Sequence, residues 1–274
     1  MLPFVVITAF LLIAVVVYIL SVPRAFTVRK YTVKTDKFSG HVKTVHISDL
    51  HNVMWGDGQR ELLEKIDEYS PDIAFFTGDI ADEYSDISPA VLMLKEMQKR
   101  CQCFYVAGNH ERKLSDPSYF KDTVRSLNIS VLEADKEQIT VNGCDITVCG
   151  IDDPRFYSTE EDYSDEWISD VEKCAKGNTD FTVFLSHRPE KAEFYAENGF
   201  DLVLCGHAHG GQIRIPGIFN GIYAPHQGLF PKYAGGRYDF EKTTVIVSRG
   251  LKKNWLPRTF NPPELVFIDI IGEQ

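Results

Sequence analysis

The pairs of cysteines that build a zinc knuckle are missing from this chain. Its 6 cysteines (Cys101, Cys103, Cys144, Cys149, Cys174 and Cys205) include no Cys-x-x-Cys pair. A chain of 274 residues is also too long to need a disulfide framework. Cys149 (ITVCGI) and Cys205 (DLVLCGH) stand in apolar runs and read as small buried hydrophobes, a use that fits a reducing compartment. Basic charge is scarce as well. Against 39 Asp and Glu there are 29 Lys and Arg, a formal net charge of −10, which excludes a general nucleic-acid binder. An anionic substrate is not excluded, because bound metal ions invert the field of an acidic site. Internal repeats and low-complexity linkers are absent too, so no domain boundary is expected after about residue 40.

Charge is absent altogether from residues 2–22, LPFVVITAFLLIAVVVYILSV. About 20 apolar residues in helical form cross the hydrocarbon core of a bilayer. A cleaved signal peptide would need a basic n-region, a shorter apolar core and a small-x-small site. Nothing basic precedes the run, and SVPRAF offers no such site. The expectation is a transmembrane anchor over 1–23, a juxtamembrane entry segment over 24–40 and one domain over 41–274. Arg24, Arg29, Lys30, Lys34 and Lys37 all follow the span. The positive-inside bias then places a single-pass protein in the cell membrane with its domain on the cytoplasmic side.

Beyond the anchor, 26–33 reads as an extended entry strand. Short apolar strands are expected at 44–48, 73–77, 104–107, 146–151, 182–186 and 202–205. Helical periodicity lies between the first three, with Leu62, Leu63 and Ile66 on one face of 59–69 and Val91, Leu94 and Met97 on one face of 89–98. This alternation predicts an α/β domain with a largely parallel sheet. The acidic stretch 158–174 reads as a surface helix opened by a Ser158/Glu161 capping box. Residues 206–263 are rich in Gly and Pro and predict long loops and strands over a site.

The strand ends carry the chemistry. The first delivers Asp49 and His51, the second Asp79 with Asp82 in the same loop, the third Asn109, His110 and Glu111. His187 ends the fifth, and His207 and His209 follow the last. Asp49, Asp79 and Asn109 are spaced by 30 residues each, one βαβ step. Sites in open α/β sheets form beyond the carboxyl ends of the strands, so these residues converge. Imidazole with carboxylate suits Mn, Fe, Zn, Co or Ni better than Ca or Mg. Asp79 has two oxygens with which to bridge two ions, and the amide oxygen of Asn109 adds a ligand without adding charge. Glycines before Asp79, Asn109 and His207 permit sharp turns and close backbone approach. Five of the 8 histidines belong to this set. His41, His46 and His226 lack that context, although His226 is positioned in a loop that could meet substrate.

The segments SDLH, GDIAD, GNHE, SHRP and GHAHGG resemble, in order and residue type, the calcineurin-like metallophosphoesterase superfamily across residues 43–212. The later run GGQIRIPG…APHQGLFPKYAGGRY and SRGL is similar to a bacterial membrane-anchored branch that includes UDP-2,3-diacylglucosamine pyrophosphate hydrolases. The resemblance implies a four-layer sandwich of two mixed β-sheets flanked by helices. It implies two divalent metal ions, with manganese favoured. Asp49, His51 and His209 would hold one ion with Asp79, and Asp79 would bridge to a second held by Asn109, His187 and His207. His110 would face the substrate and assist the leaving group, oriented by a carboxylate such as its neighbour Glu111. Hydrolysis of a phosphoester or pyrophosphate by metal-activated water follows.

An anchored site suits a phosphorylated lipid, whose acyl chain Ile222, Tyr223, Leu229, Phe230 and Tyr233 could cover. Arg214, Lys232, Arg237 and Arg249 are candidates for a second phosphate. Two alternatives stand beside this: a broad-specificity phosphodiesterase for soluble substrates, and a non-catalytic scaffold on the same fold. No nucleic-acid partner is expected, and the sequence assigns no oligomeric state.

Overall fold

A computed structural model describes residues 7–8, 12, 15–16, 18–19, 22–23, 25–158, 163–253 and 258–273. The expected anchor over 1–23 falls mostly outside the described residues. Among the described residues no helix is long and apolar enough to cross a membrane.

Fourteen strands are described: β1 Thr27–Thr35, β2 His41–Ile47, β3 Ile73–Thr77, β4 Gln102–Val106, β5 Ser130–Val131, β6 Asp135–Val141, β7 Cys144–Gly150, β8 Phe181–Leu185, β9 Leu202–Cys205, β10 Tyr223–Ala224, β11 Gly228–Leu229, β12 Gly236–Asp239, β13 Thr244–Val247 and β14 Glu264–Gly272. The α-helices are α1 Arg60–Tyr69, α2 Ser88–Met97, α3 Pro117–Ser126, α4 Asp165–Ala175 and α5 Ala192–Glu197. Two six-stranded sheets form, in the orders β1-β14-β2-β3-β4-β5 and β12-β13-β9-β8-β7-β6. Both are mixed: β14 runs antiparallel to β2, and β6 and β12 run antiparallel to their neighbours. The expected entry segment thus contributes β1, an edge strand of the first sheet.

The layering follows from strands that are apolar on both faces. Along β3, Ile73 and Phe75 point into the space between the sheets, while Ala74 and Phe76 meet the helices. Along β9, Leu202 and Leu204 face inward, and Val203 and Cys205 pack on the outer side with Trp167, Val171 and Tyr195. Continuous apolar runs of this kind mark strands covered on both faces. Helices therefore lie outside each sheet, and the four-layer sandwich results.

Two local expectations change. On α2 the fully buried residues are Ala90, Met93, Leu94 and Met97, and Val91 is only half-buried, because the register is set by Met93 rather than Val91. The acidic helix begins at Asp165, not 158. Ser164 is its N-cap and accepts from the Trp167 amide at 3.2 Å, since Trp167 is the first side chain able to anchor the helix in the core. Glu161 lies outside the described residues.

His46 is packed between the sheets, with Nε2 2.7 Å from Thr77 Oγ1. Burial pushes its imidazole down to about 3 from an ordinary 6.5. Native His46 is neutral, so its contribution to stability is complete above pH 6.5 and is lost as pH falls from 6.5 towards 3. Urea unfolding of metal-free protein should show the wild type losing roughly 2–3 kcal/mol more than His46→Gln between about pH 6.5 and 4.5. Parallel losses in the two proteins would remove His46 as the acid-sensitive group.

Candidate dinuclear metal centre

Left-handed backbone marks the ligand positions. Asp49, His51, Asp79, His207 and His209 all have positive φ, between 48° and 66°. Non-glycine residues adopt this region only where the surroundings enforce it, and such strain concentrates at functional sites. The enforcement is visible. The amides of Asp49 and His51 bond the carbonyls of Gly78 and Asp79 at 3.0 Å, tying the first ligand loop to the second. The amide of His207 bonds both Asp49 carboxylate oxygens, at 3.1 and 3.2 Å. Glycines make these approaches possible: a Cβ on Gly108 would overlap the Asp79 carboxylate, and one on Gly206 would overlap Ser48 and Asp49.

The side chains converge in two groups with Asp79 at their junction: it belongs to the second and, with His51 of the first and His110, makes a third, overlapping set. Asp49, His51 and His209 form one, with His209 Nε2 3.8 Å from Asp49 Oδ1. Asp79, His187 and His207 form the other, with His187 Nε2 3.2 Å from Asp79 Oδ2 and 3.1 Å from His207 Nδ1. His51 Nε2 stands 3.6 Å from the same Asp79 Oδ2. Ligands held at about 2.0–2.3 Å from one ion lie roughly 3–4 Å from each other, so the spacings fit an ion in each group. Two atoms without hydrogen-bond partners test the fit. His51 Nε2 and Asn109 Oδ1 are buried and unpaired, an arrangement that costs stability unless something electropositive occupies the space.

Neighbours fix the tautomers. His187 Nδ1 lies 2.7 Å from the Thr77 carbonyl, so it carries the proton and leaves Nε2 as the ligand atom. His51 Nδ1 lies 3.3 Å from Asp82 Oδ2 in the same manner. Burial would raise the Asp79 carboxyl, but His187, His51 and His110 around it hold it well below the usual carboxylate range. Burial, reinforced by neighbouring cations and imidazoles, keeps His207 and His209 far below the ordinary imidazole range, as neutral ligands require.

The role expected for Glu111 belongs to Glu83. His110 Nδ1 meets Glu83 Oε2 at 2.7 Å, while His110 Nε2 points toward the cluster, 4.0 Å from Asp79 Oδ2. Glu111 is turned the other way. Its carboxylate accepts the amides of Asp79, Ile80, Ala81 and Gly108 at 2.7–3.1 Å, fastening two ligand loops together. Adjacency to His110 is the wrong guide, because four inward-pointing amides need a buried acceptor.

Other residues take unforeseen places. Lys252 Nζ lies 3.3 Å from His51 Nδ1. The exposed His226 stacks on His207 with ring centroids 5.3 Å apart. Arg188, buried, is clamped by Asp153 at 2.5 and 3.0 Å and reaches His207 Nε2 at 3.2 Å. Nothing in the local sequence marks Asp153 as its partner.

Of the expected phosphate contacts, Arg249 is buried and directed at Asn220, Asn261 and the carbonyls of Gly210 and Gly235. Arg237 pairs with Asp239 and the Thr32 carbonyl, and Lys232 with Glu193. Arg214 is half-buried, with its amide on the Thr259 carbonyl at 3.0 Å.

The model of the calcineurin-like phosphoesterase family matches residues 42–211, more than half of the chain. A metallophosphoesterase of Aquifex aeolicus (strain VF5) is 28% identical over 257 residues, covering 90% of this chain and 92% of the relative. The metallophosphoesterase YkuE of Bacillus subtilis (strain 168) is 25% identical over 248 residues, covering 87% and 82%. A Bos taurus transmembrane protein with a metallophosphoesterase domain is 29% identical over 229 residues, covering 79% of this chain and 50% of the relative. Among solved structures, the 5'-nucleotidase precursor from Thermus thermophilus shares the fold, with a TM-score of 0.51 and 14% identity. The match covers 85% of this chain and 54% of that one.

Glu111→Gln places an amide NH2 against two backbone donors in a buried site. Each lost charge-assisted bond is worth about 1.5–3 kcal/mol. The variant should therefore unfold at clearly lower urea concentration, by about 3 kcal/mol or more, even without metal. An unchanged midpoint would show that the two loops hold their geometry without this carboxylate.

Proposed function

The chain belongs to the calcineurin-like phosphoesterase family and is a metal-dependent phosphoester hydrolase, and from that premise we propose a substrate, an ion and a place for it. The substrate is a membrane-associated phosphoester or pyrophosphate of the UDP-2,3-diacylglucosamine kind, the favoured ion is manganese, and the domain lies on the cytoplasmic face. The observation that carries the reaction class is the two ligand groups joined at Asp79, which belongs to one and lies 3.6 Å from His51 of the other, with His51 Nε2 and Asn109 Oδ1 buried and unpaired beside it.

Asp49, His51, Asp79 and His209 would hold one ion, and Asp79, Asn109, His187 and His207 the other. Bound there, two ions supply Lewis acidity toward phosphoryl oxygens and make water nucleophilic at neutral pH. The chain's own residues do the rest. His110 presents Nε2 toward the cluster; burial pushes its imidazole below the ordinary value, and Asp79 and Glu83, the latter on Nδ1, pull the other way. In its protonated form His110 passes the Nε2 proton to the departing ester oxygen. Lys252 is near enough to His51 to draw a substrate phosphate toward the same mouth.

Support for a membrane comes from the uncharged run 2–22. Its described side chains Ile7, Leu12, Val15, Val16 and Ile19 are helical and exposed. Arg24, Arg29, Lys30, Lys34 and Lys37 follow that run, which favours the cytoplasmic side.

Manganese should confer hydrolysis of bis(p-nitrophenyl) phosphate, and a chelator should abolish it. No turnover with any first-row divalent ion would defeat the reading. Turnover of a lipid pyrophosphate in detergent micelles should exceed that of a soluble cyclic nucleotide, and the reverse order would favour the soluble-substrate alternative. His110→Ala should lower kcat by about 100- to 10,000-fold with metal content near wild type. Loss of one ion in that variant would make His110 a ligand instead. Asp79→Asn should weaken both ions, whereas His209→Ala should weaken mainly one, and equal stoichiometry in the two would contradict the bridging role.

A further inference from the structure

The chain enters its domain at the metal end. Thr27, the first residue of β1, is paired with Glu264 in the register and donates its amide to the Pro263 carbonyl at 2.8 Å. The amide of Glu264 bonds the Gly250 carbonyl at 3.0 Å, and Gly250 packs against Asp49. Phe26 sits edge-on to Trp55 at 5.1 Å, and the Trp55 indole donates to the Leu251 carbonyl at 3.1 Å. The uncharged run 2–22 therefore departs from the end of the sandwich where the ligands gather, not from the opposite end, where β14 finishes. Only residues 23–26 separate that run from Thr27, and four residues extend to roughly 14 Å at most.

A second apolar surface occupies the same end. Residues 213–230 follow His209 closely, with Gly221 packed against Gly211. His226, in the turn joining β10 to β11, stacks on the ligand His207. In the same segment Ile218 is 77% exposed, Leu229 71%, Phe230 64% and Tyr223 50%. These side chains form one lobe. Ile215 bridges Phe219, whose ring meets Phe230 at 5.7 Å, and Tyr223 pairs with Leu229. Large apolar side chains scattered singly over a surface need no explanation, but a cluster marks a contact. Lys253, over the Trp55 ring at 3.9 Å, and Lys252, beside His51, add positive charge near the point of entry. Exposed apolar side chains with adjacent lysines are the composition of a lipid-interface contact.

From this juxtaposition we infer that the 213–230 lobe rests in the lipid interface and turns the metal cluster toward the bilayer, so that the bond cleaved lies at headgroup depth. The inference rests on the anchor in the reading above, not on its chemistry. A lipid surface is favoured over a protein partner because β1, which the uncharged run precedes, starts at the same end of the sandwich as the lobe.

The test uses the full chain reconstituted in phosphatidylcholine–phosphatidylglycerol vesicles, with Ile218→Trp as the probe and Ile271→Trp, near the far end of β14, as the control. Lipids brominated on the acyl chain should quench most of the emission added by Ile218→Trp and little of that added by Ile271→Trp, while aqueous iodide should do the opposite. Iodide quenching of both probes would overturn the inference. So would an Ile218→Trp probe shielded from iodide yet untouched by brominated lipid, which would make the lobe a protein interface. A chain that fails to sediment with vesicles overturns it as well. Hydrolysis of bis(p-nitrophenyl) phosphate by the same preparations reports separately on the chemistry, so failure of one reading is distinguishable from failure of the other.

Discussion

Asp79 keeps a negative charge buried at the tip of β3, 3.2 Å from His187 Nε2 and 3.6 Å from His51 Nε2. An unpaired carboxylate there would cost several kcal/mol through lost hydration, so the surroundings exist to hold it ionised. Its Oδ1 accepts the His110 amide at 2.8 Å, and its own amide is held by Glu111. Three other ligands take their positions from this group and the residues beside it. His51 is tied to the Asp79 carbonyl, His187 to Thr77 two residues earlier, and Asn109 to the Gly108 turn that closes over the Asp79 side chain.

The same crowding explains the strained backbone. Five ligand residues in the left-handed region represent about 1–3 kcal/mol each, offset by loop-to-loop hydrogen bonds and by whatever binds between the ligands. Gly108 and Gly206 are needed because two loops approach to the point where a Cβ would strike a ligand carboxylate. These glycines are thus part of the site's geometry and not spacers between motifs. The surrounding sandwich makes this tolerable: strands buried on both faces fix the loop origins, and the ligands are carried on the first residues beyond them.

The ligands are legible in the sequence because each follows an apolar run within three or four residues, and an open α/β sheet leaves those run ends only one place to converge. The two mixed sheets come from resemblance, since alternation alone suggests one largely parallel sheet; β14, which inserts between β1 and β2, has no local signal of its pairing partners. Partners across the fold are also hidden. Glu83 and Glu111 both lie near His110, and only tertiary structure separates the carboxylate that faces His110 from the one that gathers four amides. Asp153 and Arg188 are 35 residues apart and clamp each other in the core. The start of α4 escapes sequence reasoning because Ser158 and Ser164 offer equal capping chemistry, and burial of Trp167 decides between them.

The arginines settle where positive charge near the site comes from. Arg249 and Arg258 are buried behind the ligand loops, and their donors meet backbone carbonyls, including those of Gly210, His209 and Gly250, along with Asn220 and Asn261. Burial pushes the Arg258 guanidinium down to about 10, although Asp49 and Glu264 pull the other way. Arg188 is neutralised by Asp153. These cations shape loops, and Arg249 pairs with Glu264 at 3.7 Å. In a protein of net charge −10, attraction for an anionic ester must then come chiefly from ions in the two ligand groups, aided by Lys252 at the mouth. Substrate capture and bond cleavage therefore depend on the same occupancy, and the acidic surface elsewhere leaves the metal mouth as the place where an anion is welcome.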